Sequence, residues 1–265
     1  FMLDHLAPMP EYPRLLMHLI ESRRPDVVMI SNSELGYLLL PWLRQQCHAR
    51  GLSPVFVDYN HMEEPYWKNG GHPRHGAGHC DQLDLNIVSS QHLKRWMTSG
   101  RPGEGRADPD RVHVCNTNVD VSHYRPDAAA RSEMRSRLDL DDQTIALLYP
   151  VRLTAQKQPM VFADTMRRLR DRVPKARFVA LVAGDGEDRP ALERFIAEHR
   201  LASHVRLLGP VPVNDMPAMY NAADVLFLPS MQEGIALSIF EAMACGKPVV
   251  GAIVGGQAEL VVDGA

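Results

Sequence analysis

Short apolar runs rich in β-branched residues alternate with helix-like stretches along the chain. Four runs occur in the first half of the chain and five in the second half. They are PDVVMIS (25–31), PVFVDY (54–59), LDLNIVS (83–89), RVHVC (111–115), TIALLYPV (144–151), ARFVALVAG (176–184), HVRLLG (204–209), DVLFLP (224–229) and PVVGA (248–252). Parallel strands need a long crossover, usually a helix, so strands that alternate with helices pair in parallel. The pattern therefore predicts an α/β fold.

Residues 126–143 divide the strands into two sets, because this stretch is polar and holds no β-rich run. A chain of 265 residues is long enough for two domains of ordinary size. We therefore predict an N-terminal domain over residues 1–125, a connection over 126–143 and a C-terminal domain over 144–265. The five strands of the C-terminal domain predict a doubly wound sheet, with ligands at the carboxyl ends of its strands.

Several crossovers carry the residues that mark helix ends and helix faces. Ser90 is a good N-cap for a helix over residues 90–99. A helix from Pro159 would place four apolar side chains on one face, those of Phe162, Met166, Leu169 and Val173. Further helices are expected over residues 34–49, 188–199 and 215–222.

Charge and composition narrow the partners and the compartment. The formal net charge is −3 and the isoelectric point is near 6.5, so we expect no nucleic-acid partner. The four cysteines form no Cys-x-x-Cys pair, which favours a reducing, cytoplasmic setting. No apolar run approaches the roughly 20 residues of a membrane span, while peripheral membrane association stays open. Because the chain begins with Phe1, we expect a processed or partial protein.

Two glutamates, Glu233 and Glu241, lie in the loop and helix that follow the strand DVLFLP. We expect this helix to start near residues 236–237 and to end before Gly246. Its N-terminus offers free N–H groups and a positive dipole end to a sugar or a phosphate, and Gly234 lets a ligand approach the backbone. Glu241 can accept two hydrogen bonds from a vicinal diol such as a ribose. In the alternative interpretation, Glu233 only complements the helix dipole and Glu241 is solvated.

A second loop, YPVRLTAQKQP (149–159), carries Arg152 and Lys157 after another strand. Guanidinium binds phosphate oxygens bidentately and ammonium adds a mobile positive charge, so the two side chains suit a diphosphate. The alternative is that they are two ordinary surface cations.

The loop VAGDGED (182–188) does not carry a dinucleotide fingerprint. Gly184 and Gly186 permit a tight turn, but Arg189 stands where G-x-G-x-x-G needs its third glycine. This disfavours a nicotinamide or flavin enzyme, and we interpret the glycines as a plain β-to-α turn.

Taken in order, the motifs of the second half resemble a known family. The motifs are Arg152 with Lys157, VAGDG (182–186), VRLLGPV (205–211), MYNAADVLFLPS (219–230), EGIALSIFEAMACGKPVV (233–250) and VGGQAELVVDG (254–264). Their order and spacing resemble the donor-binding domain of retaining GT-B glycosyltransferases of family 4, the glycosyl transferases group 1. The resemblance implies two Rossmann-like, doubly wound parallel-sheet domains that face a cleft. It also implies that the N-terminal domain is incomplete and that the C-terminal domain is truncated at its end.

The resemblance implies roles for individual residues. Glu233 and Glu241 match the family's E-x7-E pair, the first near the donor sugar and the second on the ribose. Arg152 and Lys157 match the cations on the diphosphate. His61 matches a histidine near the transferred sugar, so Glu233 and His61 are the predicted catalytic residues. The other implied contacts are Val211 with the base, and Gly234, Ile235 and Ala236 with sugar and phosphate. The family often has Phe-Gly where this chain has Ile235-Ala236, so a methyl group at residue 236 could narrow the approach to the donor.

The implied reaction moves a sugar from a UDP-, GDP- or ADP-sugar to a hydroxyl of a polysaccharide, lipid or small molecule. The anomeric configuration is retained, and no cofactor or metal is required. We interpret Asp-Leu-Asp at residues 139–141 as a turn rather than a metal site. The alternatives are a non-catalytic sugar-nucleotide-binding module or degenerate transferase, and a nucleotide-sugar epimerase or phosphorylase of the same fold. The fragment alone is expected to bind donor but to be poorly active.

The segment DYNHMEEPYWKNGGHPRHGAGHC (58–80) is predicted as a loop after a strand. Its histidines and cysteine are types that bind zinc, but their spacing fits no zinc pattern. Solvated side chains and an acceptor-facing loop are the alternatives, so the role of this cluster stays open. The four side chains concerned are those of His72, His75, His79 and Cys80.

Overall fold

The computed structural model describes residues 11–64, 71–100 and 106–262, and the chain divides into two compact units. Unit 1 is Phe1–Asn116 and unit 2 is Thr117–Ala265. Unit 1 contains α1 (Tyr12–Arg23), β1 (Val27–Ile30), α2 (Glu34–Ala49), β2 (Val55–Asn60), α3 (Gly71–Gly78), β3 (Leu85–Val88), α4 (Gln91–Thr98) and β4 (Val112–Val114). Unit 2 contains α5 (Ala128–Arg137), β5 (Ile145–Pro150), α6 (Pro159–Arg172), β6 (Phe178–Ala183), α7 (Arg189–Glu198), β7 (Val205–Gly209), α8 (Met216–Ala222), β8 (Val225–Leu228), α9 (Leu237–Ala244) and β9 (Val249–Gly251).

Unit 1 is built on a parallel four-stranded sheet in the order β1-β2-β3-β4. Val57 on β2 pairs with Met29 on one side and with Leu85 on the other. The Ser90 hydroxyl accepts a hydrogen bond from the Leu93 N–H at 3.1 Å, which confirms the predicted N-cap of α4. Helices thus cross between parallel strands, as the alternation of apolar runs predicted.

Unit 2 is built on a parallel five-stranded sheet in the order β7-β6-β5-β8-β9. All six residues of β6 are buried, because helices cover a central parallel strand on both of its faces. The chain runs outward from β5 to β7 and then returns to place β8 on the other side of β5. The strand order therefore reverses between β5 and β8, and in this fold class the crevice outside that reversal is where ligands bind.

The segment 126–143, predicted as a connection, contains the helix α5, which packs against α8 within unit 2. Arg135 on α5 is 2% exposed and donates hydrogen bonds to the carbonyl oxygens of Ala222 at 2.9 Å and Thr144 at 2.7 Å. The guanidinium also lies 3.4 Å from the Asp224 carboxylate. These contacts fasten α5 to the sheet of unit 2.

The predicted helices of the second half are present with small shifts at their ends. In α6, Phe162 and Met166 are buried as expected, and Leu169 is partly buried against the same core. Val173 caps the helix instead of extending its apolar face, and it is 41% exposed. The spacing of apolar residues therefore predicted the position of α6, whereas the residue at which the helix ends depends on packing.

The prediction of a loop over residues 58–80 is wrong in part, since α3 occupies residues 71–78. The zinc-type side chains near α3 make other contacts. His79 Nδ1 lies 2.8 Å from the His75 carbonyl oxygen, and Cys80 Sγ accepts a hydrogen bond from the Asn86 amide at 3.3 Å. Among the described residues, no group of three or more His, Cys, Asp or Glu side chains is placed to hold a metal ion.

Within the described ranges, no helix combines the length and the apolar character needed to cross a membrane.

Candidate functional site

A pocket of about 820 Å³ lies at the carboxyl ends of the unit 2 strands. The loop after β5 supplies Arg152 and Lys157, the loop after β8 supplies Glu233, and α9 supplies Glu241. The two cations precede the two carboxylates by 76 positions or more in the sequence, yet all four side chains line one pocket beside the reversal of strand order. The other predicted contacts that line it are Val211, Ile235 and Ala236, and Gly234 lies buried between two lining residues.

Hydrogen bonds fasten the two loops on either side of the strand reversal. The Gln156 side-chain amide donates to the Gln232 carbonyl oxygen at 2.9 Å, and the Met231 N–H donates to the Gln156 carbonyl oxygen at 2.8 Å. The buried Tyr149 hydroxyl donates to the Lys157 carbonyl oxygen at 2.6 Å. The loop that carries Arg152 and Lys157 is thereby hydrogen-bonded both to the strand before it, β5, and to the loop after β8.

Lys157 and Glu233 form an ion pair at the pocket wall. The Lys157 side chain is 21% exposed and that of Glu233 is 7% exposed. A carboxylate withdrawn this far from water is stable only with a charged partner, since removal of one partner leaves an uncompensated buried charge. Glu233 therefore has a cationic partner in the pocket wall, in addition to any interaction with the dipole of the helix that follows it.

Arg152 differs from Lys157 in being exposed and, within the part of the chain that the structure describes, free of ion pairs. Its guanidinium is an uncommitted positive charge at the pocket. A group with five N–H donors in a fixed fork is suited to a phosphate. The interpretation of Arg152 as a cation for a diphosphate is consistent with this placement.

Glu241 is half-buried on the second turn of α9, and its Oε2 accepts a hydrogen bond from the Tyr220 hydroxyl at 2.6 Å. Burial, and then the Glu241 charge, raise the pKa of Tyr220, so this hydroxyl stays protonated and donates. Burial and the same carboxylate raise the pKa of Tyr124 to about 12. Sequence analysis missed both tyrosines, because an aromatic residue in an α/β core carries no mark of a hydrogen-bonding role.

The first turn of α9 lines the pocket through Leu237 and Ser238. The helix begins at Leu237 and ends at Ala244, and Gly246 follows with φ of 69°, as predicted. The N-cap is Ala236, which has no side chain able to cap the helix. The N–H groups of this turn are therefore not satisfied by a capping side chain, which suits them to an anion or a hydroxyl.

Gly184 and Gly186 bring the loop after β6 against the loop after β5. A Cβ at either position would overlap a carbonyl oxygen, that of Val151 or of Leu153, and Gly184 has φ of 149°. The Leu153 N–H donates to the Asp185 carbonyl oxygen at 2.9 Å across this contact. The glycines are thus more than a plain turn, since they let two backbones meet at the pocket floor.

His61 belongs to unit 1, where it follows β2. Its Nε2 lies 3.2 Å from the Ser31 hydroxyl, and its ring packs edge-on against Tyr59. Burial lowers the pKa of His61, so the imidazole is mainly neutral at pH 7. A neutral imidazole can accept or donate one hydrogen bond at each ring nitrogen.

Solved structures with the same overall fold hold two Rossmann-like units with parallel sheets, the GT-B class. The Anabaena protein HepE, crystallised in complex with UDP and glucose, matches 100% of this chain and 68% of its own chain, with a TM-score of 0.76 and 20% identity. Sucrose-phosphate synthase from Thermosynechococcus elongatus matches 96% of this chain and 62% of its own, with a TM-score of 0.74 and 19% identity. At these identities the likeness establishes the fold alone, and that fold is GT-B.

The sequence comparison then gives the family. Residues 130–265 match the family described as Glycosyl transferases group 1, and the chain belongs to it. The D-inositol 3-phosphate glycosyltransferase of Salinispora arenicola is 37% identical over 168 residues, which are 59% of this chain and 38% of that protein. The protein of the same name from Frankia alni is 37% identical over 165 residues, 60% of this chain and 40% of its own length. The matched part of the chain thus spans about two fifths of these relatives.

Proposed function

We propose that the protein is a retaining glycosyltransferase whose unit 2 binds a nucleoside diphosphate sugar. In the proposed reaction the bond between the anomeric carbon and the diphosphate breaks, and a bond to an acceptor hydroxyl oxygen forms on the same face. The acceptor proton passes to the departing phosphate oxygen. The observation that carries this proposal is the meeting of Arg152 and Lys157 with Glu233, Glu241 and an uncapped helix N-terminus in one pocket at the strand reversal of unit 2.

Arg152, Lys157 and the first turn of α9 would stabilise negative charge on the departing diphosphate. Such electrostatic stabilisation is often the largest single contribution to catalysis. Glu241 would bind the ribose hydroxyls, and Val211 would contact the base. Support for these roles comes from their shared pocket and from the order of the family motifs.

The proposed role of Glu233 is to position the sugar, not to attack its anomeric carbon. A two-carboxylate mechanism through a covalent intermediate needs two carboxyl groups about 5 to 5.5 Å apart. Glu233 and Glu241 are each committed to a different partner, Lys157 and Tyr220. The Lys157 ammonium has further donors for a phosphate oxygen while it holds Glu233, so one cation can order both the sugar and the diphosphate.

We assign the acceptor side to residues 1–125 and the donor side to residues 144–265, with His61 near the transferred sugar. UDP-sugars are the first donors to test, because HepE was crystallised with UDP and glucose. GDP- and ADP-sugars are the other candidates. An inositol phosphate is the first acceptor to test, because the relatives are named D-inositol 3-phosphate glycosyltransferases. No cofactor or metal is part of the proposed reaction.

The donor site is tested by calorimetric titration of this chain with UDP-, GDP- and ADP-glucose, with and without EDTA. We expect one nucleotide class to bind equally well with EDTA present. Arg152→Ala should weaken it by about tenfold or more, since a charge-assisted hydrogen bond is worth roughly 1.5–3 kcal/mol.

Arg177→Ala is the matched control, because Arg177 is an exposed arginine at the start of β6, paired with Asp141. Its loss should leave nucleotide affinity unchanged. Failure of the folded chain to bind any of the three sugars would contradict the proposed donor site. Equal weakening by the two arginine variants would contradict the assigned role of Arg152.

Retention is tested on the protein by proton NMR of the newly formed product. A product with the donor's anomeric configuration supports the proposal, and an inverted product refutes it. Consumption of donor without any acceptor would instead indicate the epimerase alternative. Donor binding with no turnover would indicate the non-catalytic binding module.

A further inference from the structure

Tyr220 and Glu241 form a preassembled pair at the pocket. Tyr220 is one of the buried residues of α8 and is 1% exposed, yet it also lines the pocket. Its hydroxyl meets Glu241 Oε2 at 2.6 Å. Glu241 therefore carries one oxygen already engaged by the Tyr220 hydroxyl, and the Tyr124 hydroxyl also interacts with this carboxylate.

The ring of Tyr220 is itself held in place. Tyr124 packs edge-on against it, with ring centroids 5.9 Å apart and planes at 70°. Both rings belong to the buried core of unit 2, where side chains are closely packed in rotamer minima. The hydroxyl that meets Glu241 is thus anchored through a rigid ring and not through a flexible chain.

We propose that Tyr220 is a positioning residue that orients the Glu241 carboxylate toward the ribose hydroxyls and so makes the pocket selective for ribonucleotides. This inference rests on the proposed function, because it assumes a nucleoside diphosphate in the pocket. A glutamate free to rotate loses side-chain entropy when it binds a diol, whereas one already fixed by a hydroxyl loses little. A ligand without the diol leaves the oriented Glu241 carboxylate unpaired, so its affinity does not benefit from the orientation that Tyr220 imposes.

The test pairs a variant with a change in the ligand. The dissociation constants of UDP and of 2′,3′-dideoxy-UDP are measured by calorimetry on the wild-type chain and on Tyr220→Phe, with the adenine and guanine counterparts run in parallel. We expect Tyr220→Phe to weaken binding of the ribonucleotide by about tenfold and that of the dideoxynucleotide by less than twofold. On a Glu241→Ala background, Tyr220→Phe should add no further loss for either ligand.

Tyr149→Phe is the control for a hydroxyl with a structural role. The Tyr149 hydroxyl donates to the Lys157 carbonyl oxygen, so its loss should weaken the ribonucleotide and the dideoxynucleotide equally. An equal loss for both ligands in Tyr220→Phe, as in this control, would overturn the inference. Unchanged affinity of Tyr220→Phe for both ligands would overturn it as well, while leaving the donor site intact.

The wild-type results separate the two proposals. If wild-type chain binds ribonucleotide and dideoxynucleotide equally well, Glu241 does not read the ribose and the inference fails, although the pocket still binds nucleotide. If the wild-type chain binds none of the nucleotides, the proposed function itself fails. Melting temperatures of all variants show whether a lost affinity reflects lost folding.

Discussion

Each unit is built on its own parallel sheet, but the two units differ in where their polar side chains lie relative to that sheet. In unit 1, Asp58 and Asn60 on β2 and Asn86 on β3 are all 0% exposed. In unit 2, the interior strand β6 is apolar and buried throughout, and the charged side chains of the pocket lie beyond the strand ends. Unit 1 thus carries polarity inside its sheet, and unit 2 carries it at the edge where a ligand can reach it.

Burial of the Asp58 carboxyl in unit 1 costs free energy that the buried Glu233 carboxylate in unit 2 does not, because Glu233 is paired with a cation. Asp58 accepts hydrogen bonds from the Tyr37 hydroxyl at 3.2 Å and the Asn60 amide at 2.9 Å, but no cation among the described residues contributes to its environment. Burial raises the pKa of Asp58 to about 7. Glu233, by contrast, is buried beside a cation. Unit 1 therefore neutralises its buried carboxyl group with a proton, whereas unit 2 neutralises its buried carboxylate with a charged partner.

The largest expected effect comes from Gly184→Ala, which tests whether unit 2 depends on backbone contact at the pocket floor. The added Cβ would overlap the Val151 carbonyl oxygen, and φ of 149° is strained for alanine. We expect a loss of about 4 kcal/mol or more in the free energy of unfolding, measured by urea denaturation.

Gly251→Ala on β9 is the control, because its Cβ would meet the Leu228 carbonyl oxygen only at an ordinary 3.4 Å. It should cost less than about 1 kcal/mol. Similar losses for the two alanine variants would show that the contact between the loops does not matter.

An intermediate effect is expected from Lys157→Met, which removes the cation beside Glu233. The buried carboxylate is left unpaired, so we expect a loss of about 2–3 kcal/mol in thermal or urea unfolding. The double variant Lys157→Met with Glu233→Gln should recover most of this loss, since no buried charge remains. If the double variant is as unstable as the single one, the pair does not neutralise a buried charge, and the contrast with Asp58 fails.

The smallest expected effect is a dependence of stability on pH that arises from Asp58. Its protonated carboxyl stabilises the folded state fully below the ordinary pKa of 3.8, and this contribution is lost as the pH rises through about 7. Between pH 6 and pH 8 the loss should amount to about 1 kcal/mol in the free energy of unfolding. Asp58→Asn should remove this slope, and the double variant Lys157→Met with Glu233→Gln, which leaves Asp58 intact and adds no unpaired buried carboxylate, should retain it. A slope that persists unchanged in Asp58→Asn would assign it to other groups.

Much of the fold could be read from local patterns. The nine apolar runs correspond to the nine strands that the structure describes, and Ser90 and Gly246 mark the helix ends that they predicted. These features depend on residues close in sequence, so neither needs knowledge of the tertiary fold. The α3 helix was missed because its sequence, GHPRHGAG, holds glycines and a proline that favour loops, and packing overrides this preference.

The residues of the candidate site could be predicted from the sequence, but the contacts between them could not. Arg152, Lys157, Glu233 and Glu241 could be selected by residue type, by their loops and by the family resemblance. Their partners could not, because the Lys157–Glu233 pair joins residues 76 positions apart and the Tyr220–Glu241 pair joins two different helices. The sequence by itself determined the parallel α/β architecture, the family and the candidate ligands, since periodicity and motif spacing are properties of the chain. Only the tertiary structure decided which charges are neutralised and which remain free, because burial and partners follow from packing between distant segments.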